Sequence, residues 1–216
     1  MARSTANLET IAQRLRQEFS EKDAAREKAL RLSREVIRYS SETIRALHRQ
    51  EIDKARSIME QGRVSLSELD QAVAQYGELL RSGFHHDAQK EFAEANITLS
   101  LITRQPLPEP EALGVSPAAY LNGMGEAVGE ARRYLLDSLR RNDLSPCEEL
   151  LAAMDDIYGV LVTMDFPDAM TGGLRRTTDM VRGVLEKTRG DLTMIFRQRE
   201  LEARLDKVSR TTSEGK

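Results

Sequence analysis

The sequence contains little of what a β-sheet protein needs. Among its 216 residues tryptophan is absent and aromatic residues make up 5%. Strands are typically rich in aromatic and β-branched residues and alternate polar with apolar positions, whereas apolar residues here recur at intervals of three and four. The composition therefore predicts an all-α fold, an antiparallel bundle of about seven helices.

Cysteine and long apolar runs are also scarce. The single Cys147 excludes an intrachain disulfide and a zinc site built from cysteines, which is typical of a reducing compartment. No segment approaches the roughly 20 apolar residues that span a bilayer, and the polar N-terminal residues lack the apolar core of a signal peptide. We therefore expect a soluble, cytoplasmic protein that does not bind membranes.

The chain has 32 Lys and Arg residues and 35 Asp and Glu residues, so its net charge is only −3. A nucleic-acid partner would thus need a local basic surface. Residues 8–48 contain no glycine or proline and predict one long helix or two nearly continuous ones. Basic residues recur along it so that several share a face: Arg31, Arg34, Arg38, Arg45, His48 and Arg49. This pattern indicates either a solvated face balanced by acids or a surface for nucleic acid.

Glycine residues divide the region that follows. Gly62 predicts the end of a short helix over residues 52–61. Ser65 and Glu68 have the spacing of a capping box and predict the start of the next helix, for which Gly83 is the expected stop. The adjacent His85 and His86 follow; because neighbours on a helix point about 100° apart, they favour phosphate or base contacts over a shared metal.

Proline marks later boundaries. Residues 105–116 contain three prolines and predict an extended connection, after which Ser116 and Pro117 begin a helix; Ser145 and Pro146 repeat that signature. The final helix carries an apolar stripe, which we expect to be buried against another subunit: Leu174, Thr178, Val181, Leu185, Thr188, Leu192 and Ile195. We expect one domain over residues 1–210 and a disordered tail at 211–216.

Two predicted helices each carry a pair of carboxylates beside an apolar stripe. Glu126 and Glu130 are four residues apart, and Glu91 and Glu94 are three apart, so each pair shares a helix face. If the helices pack side by side, the carboxylates converge, and oxygen ligands of this kind favour Mg²⁺, Mn²⁺ or Ca²⁺. Ordinary surface ion pairs, for example between Glu126 and Arg133, are the alternative. A di-iron site is excluded because no Glu-x-x-His pair occurs.

Three segments resemble the translin family: GFHHDAQKEFAEA, YLNGMGEAVGEARRYLLDSL and GGLRRTTDMVRGVLEKTRGDLT. The chain is most similar to archaeal members, and resembles translin-associated factor X more than translin itself. The resemblance implies a helical bundle that assembles, commonly as an octamer, into a hollow shell with a basic interior for single-stranded nucleic acid. It also implies a metal-dependent endoribonuclease.

The resemblance assigns roles to particular residues. Glu91 and Glu94 match the family's Glu-x-x-Glu motif. Glu126 and Glu130 match its Asp-x-x-x-Glu motif. The family's aspartate is Glu126 here, which is one methylene longer. The four acids are thus implied to hold Mg²⁺ or Mn²⁺ and to act in catalysis. Contacts to nucleic acid are implied for Arg34, Arg38, Arg45, His48 and Arg49, and for Phe84, His85 and His86.

Arg132 and Arg133 lie within a turn of Glu130, and either could steady that carboxylate or a phosphate. Two functions are therefore expected. The first is a Mg²⁺- or Mn²⁺-dependent endoribonuclease that cleaves single-stranded RNA inside a homo-oligomer. The second is a non-catalytic shell that binds single-stranded RNA or DNA. The acidic residues separate these two functions, and a helical scaffold that binds no nucleic acid is a third interpretation.

Overall fold

A computed structural model describes residues 4–214, with side chains up to residue 207. Regular structure in this range is entirely helical, which confirms the predicted all-α bundle. The helices are α1 Leu8–His48, α2 Ile52–Val73, α3 Gly77–Leu80, α4 Gly83–Thr103, α5 Pro110–Leu113, α6 Pro117–Arg140, α7 Cys147–Val162, α8 Asp168–Thr171 and α9 Leu174–Glu214. Among the residues that the structure describes, none of these helices combines the length and apolar character required to traverse a lipid bilayer.

The chain divides into two compact units, residues 1–123 and 124–216, and the division falls inside α6. The single domain expected over residues 1–210 stays a prediction. So does the disordered tail at 211–216, since its last two residues lie outside the described part of the chain.

In the first unit, α1 packs against both α2 and α4. The Ser33 hydroxyl donates to the Phe84 carbonyl over 2.8 Å. Fourteen residues further along α1, Leu47 belongs to an apolar cluster against which Leu99 and Ile102 of α4 pack. The two contacts are almost equally spaced along α1 and α4, so these helices run parallel. Helix α2 runs antiparallel to α1, because Ala55 lies in one cluster with Leu47 and Gly62 lies beside Tyr39.

The predicted helix break at Gly62 is wrong, because α2 continues through it. A Cβ atom at Gly62 would lie 3.4 Å from the Tyr39 Cβ and 3.5 Å from the Phe92 ring. The glycine therefore lets α1 and α4 approach α2 closely. Gly83 is likewise not a helix stop but the first residue of α4, preceded by Ser82 in an extended conformation.

Of the two helix starts predicted from a serine followed by proline, the structure confirms the first and shifts the second. The Ala119 amide donates to the Ser116 hydroxyl over 3.3 Å, which confirms Ser116 as the cap of α6. At the second position α7 begins only at Cys147 and has no side-chain cap. The Ser145 amide instead donates to the Asp143 carboxylate over 3.0 Å, so a local turn replaces the predicted serine cap.

In the second unit, α7 packs along α9. The apolar stripe of α9 is buried within the chain itself, with Leu174, Val181, Leu185 and Leu192 at most 3% exposed. The expectation that this stripe is buried against another subunit is therefore wrong. Its heptad-like spacing serves the intramolecular core, and any assembly of subunits must use another surface.

Candidate functional site

Helix α4 holds the first two predicted acids on a rigid support. Phe92, Ala93 and Ala95 are fully buried, so most of the helix circumference is enclosed by its neighbours. Glu91 is half-buried, and Glu94 is only 8% exposed. Burying a carboxylate is unfavourable unless charge or hydrogen bonds compensate it, so a glutamate in this position indicates a specific role.

Helix α6 approaches α4 at Gly123. A Cβ atom there would lie 2.6 Å from the Lys90 carbonyl oxygen and 2.9 Å from the Glu94 backbone nitrogen, both closer than a real side chain tolerates. Only glycine permits this distance between the helices. Since Glu126 follows three residues later on the same helix, it lies almost one turn beyond the contact.

The carboxylates of these two helices come together. One oxygen from each of Glu91, Glu94 and Glu126 lies within 4.8 Å of the other two. Like charges at this distance repel, which favours a bound cation. A set of carboxylate oxygens is the donor type that Mg²⁺, Mn²⁺ and Ca²⁺ prefer, so these residues fit a hard divalent ion. Lys90, whose ammonium lies 3.6 Å from Glu91, balances part of the charge.

Among the residues that the structure describes, Glu130 is not part of this group. It lies four residues beyond Glu126 on α6 and is 3.8 Å from the Arg133 guanidinium, in an ion pair typical of a helix surface. The structure thus groups three of the four predicted acids, and a metal role for Glu130 stays a prediction.

The basic face predicted on α1 is exposed. Arg34, Arg38, Arg45 and Arg49 are all exposed, at spacings that place them on one side of the helix. Arg38 forms a 3.5 Å ion pair with Glu42. Within the described part of the chain, Arg34 and Arg45 form no such pair, so their charges are available to an anionic partner. His48 is half-buried.

The two histidines have different environments. His85 is buried, and its Nε2 atom lies 2.7 Å from an Asp70 carboxylate oxygen, which ties α4 to α2. The expectation that His85 contacts nucleic acid conflicts with this burial, because the ring already has a structural partner. His86 is half-buried, and its predicted contact is unaffected by this finding.

The neighbouring arginines also differ. Arg132 is 14% exposed, and its guanidinium donates to the Thr188 hydroxyl over 2.9 Å and to Asp191 over 2.7 Å. It therefore fixes α6 to α9 and is not placed to bind a phosphate, contrary to expectation. Arg133 is exposed, and its role at Glu130 or at a phosphate stays a prediction.

Sequence reasoning missed Gly123 and Asp191. The signal for Gly123 was present: three glycines, Gly123, Gly125 and Gly129, occur within one predicted helix, where glycine is unfavourable unless close packing requires it. Nothing in the sequence distinguished Asp191 from other surface acids, since its partner Arg132 is 59 residues away.

The fold and site define an all-α protein with a carboxylate group on two closely packed helices. No protein-family model matches the sequence. AfC3PO, in its crystal structure, is similar with a TM-score of 0.80 and 30% identity, covering 87% of this chain and 98% of that one. The AfC3PO complex with duplex RNA gives a TM-score of 0.77 and 32% identity over 87% and 97%. The chain therefore belongs to the translin family, in its C3PO-type branch.

Two further proteins are similar to this chain. The structure of apo-NeC3PO has the same fold, with a TM-score of 0.71 and 19% identity over 88% of this chain and 97% of that one. "Uncharacterized protein MJ0175" of Methanocaldococcus jannaschii is 28% identical over 195 residues, which are 88% of this chain and 85% of that protein.

Proposed function

We propose that this protein is a Mg²⁺- or Mn²⁺-dependent endoribonuclease that cleaves single-stranded RNA inside a hollow homo-oligomer, with an octamer as the expected assembly. The observation that carries the proposal is the grouping of oxygens from Glu91, Glu94 and Glu126 within 4.8 Å. The complex of the related AfC3PO with duplex RNA supports RNA as the ligand.

Glu91, Glu94 and Glu126 would hold the metal ion. When bound, a divalent ion would lower the pKa of a coordinated water and neutralise charge on the phosphate oxygens. Glu94 would be the best-oriented ligand, because burial restricts its side chain to few conformations. Glu130, one turn away, would act through a water molecule or as a base, since Mg²⁺ needs few direct protein ligands.

The exposed arginines of α1 would bind the RNA backbone. Arg34 and Arg45 offer guanidinium groups that can contact phosphates in a bidentate manner. Such contacts give affinity without sequence preference and weaken as salt concentration rises. Arg38 would have to exchange its Glu42 partner for a phosphate, and such exposed pairs contribute little.

A glutamine substitution tests the metal centre with little change in shape. Glu126→Gln should reduce Mg²⁺-dependent cleavage of an end-labelled single-stranded RNA by more than about a hundredfold, because even supporting groups around a metal contribute ten- to a hundredfold. Binding of Mn²⁺, measured by calorimetry, should weaken in parallel. The matched control is Glu148→Gln on α7, an exposed glutamate outside the group.

The alternative is an assembly that binds RNA without cleaving it, which an RNA complex of a relative also fits. The same experiment separates the two functions. If wild-type protein leaves the RNA intact with Mg²⁺ and with Mn²⁺ while retaining it on a filter, the protein is a binding shell and the nuclease proposal is wrong.

A further inference from the structure

The first half of α1 has an unpartnered face. No residue between Leu8 and Lys28 is buried, and the first buried residue of the helix is Ala29. Most helices in proteins gain their stability from packing an apolar face against other elements. Lys22 forms an ion pair with Glu78, but within the described part of the chain no residue of the segment before Ala29 is buried.

Apolar side chains form a stripe along this segment. Leu8, Ile11, Leu15 and Phe19 are 59%, 37%, 42% and 68% exposed. Their spacings of three and four residues place them within an arc of about 100° on the helix surface. Scattered exposed apolar residues need no explanation, but a continuous stripe indicates an interaction surface.

The charged residues beside the stripe indicate which kind of partner it can bind. Between residues 8 and 23 there are three basic and four acidic residues, a net charge of −1. Helices that lie on anionic membranes are rich in Lys and Arg, and a nucleic acid likewise needs positive charge, so neither fits. Near the centre of the stripe the charges are ordered, because Arg14 and Arg16 precede Glu18 and Glu21. Arg14 also lies 3.8 Å from Glu18 of the same helix, so an antiparallel copy would set this pair beside its own counterpart with opposite charges adjacent.

We propose that this stripe docks against the same segment of a second copy of the chain, antiparallel and related by a two-fold axis near Leu15. Leu15 then meets its own counterpart, and Ile11 faces Phe19 of the other copy. Arg14 comes within about 3 Å along the axis of the other copy's Glu18, because two residues rise about 3 Å. A parallel two-fold pair would instead place Arg14 and Glu18 of the two copies on opposite sides of the interface, where they do not meet.

This contact is small. The stripe from Leu8 to Phe19 is about 18 Å long at 1.5 Å per residue, too short to bury the roughly 800 Å² per partner of a standard interface. The docking thus supplements other contacts between subunits and does not create the assembly alone. It goes beyond the proposed nuclease function and does not depend on it.

Site-directed cross-linking of the full chain tests the pairing directly. In Leu15→Cys protein, a short bis-maleimide should join two copies into a species of twice 24.3 kDa on a denaturing gel. Gln13→Cys, about 160° around the same helix, is the matched control and should remain monomeric on the gel. The native Cys147 is buried and does not compete. Equal cross-linking of both variants, or none at Leu15→Cys, overturns the proposal.

Charge reversal tests the direction of the pairing. In the Leu15→Cys background, Arg14→Glu should slow cross-linking about three- to tenfold by replacing two attractive pairs with repulsive ones, and adding Glu18→Arg should restore the rate. An unchanged rate in the single reversal contradicts the antiparallel arrangement. Wild-type protein should not sediment with vesicles of phosphatidylcholine and phosphatidylglycerol; sedimentation that Phe19→Glu abolishes would assign the stripe to lipid instead.

Discussion

Replacing Gly123 with alanine should push α6 away from α4 and disturb the carboxylate group. The new Cβ would lie 2.6 Å from the Lys90 carbonyl oxygen, whereas a carbon normally stays about 3.3 Å from such an oxygen. The helices must therefore separate by about 0.7 Å at this point. Neither neighbouring atom can move aside easily, because both belong to the backbone of α4.

The effects on stability and on metal binding can be separated. Overpacking of this kind costs about 1–3 kcal/mol, while alanine gains about 1 kcal/mol over glycine in helix propensity. We expect Gly123→Ala to lower the free energy of unfolding by about 0–2 kcal/mol. Ligand groups must keep their positions to within about 0.5 Å, so the shift carried along α6 to Glu126 should weaken Mn²⁺ binding at least about tenfold.

Gly129→Ala on the same helix is the matched control, because a Cβ there has no neighbour within 4 Å. It should stabilise the protein by about 1 kcal/mol, raising Tm by about 2–4 °C, and should leave Mn²⁺ affinity unchanged. Urea unfolding and calorimetric Mn²⁺ titration of both variants decide the matter. If Gly123→Ala is as stable as Gly129→Ala and binds Mn²⁺ like the wild type, the inferred role of the close helix contact is refuted.

Further outcomes follow from the side chains of Arg132, Arg45 and Cys147. Arg132→Ala should lower the free energy of unfolding in urea by about 1–2 kcal/mol by removing the charged hydrogen bonds to Asp191, while Arg133→Ala should change it by less than about 0.5 kcal/mol. Arg45→Ala should reduce the slope of log affinity for single-stranded RNA against log salt by about 0.7; an unchanged slope in anisotropy titrations would remove Arg45 from the interface. Burial, followed by Asp143 and Glu148, raises the pKa of the Cys147 thiol above its ordinary value of 9.0, so maleimide should label it at least about tenfold more slowly in native than in unfolded protein. Because the unfolded thiol ionises first, this thiol's contribution to stability should be present below pH 9 and be lost as pH rises above it, which unfolding at pH 8 and pH 10 can measure.

The fold was largely predictable where local rules and packing agree. The absence of glycine and proline over residues 8–48 correctly predicted all of α1. The helix break predicted at Gly62 was wrong because the surrounding sequence resembles a helix end. The glycine instead makes room for the Phe92 ring, which belongs to another helix. The stripe of α9 misled in a similar way: periodicity shows that a face is buried but not whether the covering surface belongs to the same chain.

The sequence predicted which glutamates share a helix face, but not the distances between glutamates on different helices. Helical spacing paired Glu91 with Glu94 and Glu126 with Glu130, and the structure keeps those pairings along each helix. It could not indicate that Glu130 stands outside the close group, because that depends on where α6 contacts α4. The structural partners of His85 and Arg132 come from distant segments, so residues that look available in the sequence are already engaged in the fold.

The enclosure of α4 on nearly all sides has a consequence for exchange with solvent. Its backbone amides between Phe92 and Thr98 belong to buried residues, so their hydrogens should exchange with deuterium only when the first unit opens as a whole. The amides of the first half of α1 should exchange orders of magnitude sooner. The protein thus carries its most slowly and its most rapidly exchanging helical turns within the same unit, and Glu94 lies on the slowly exchanging ones.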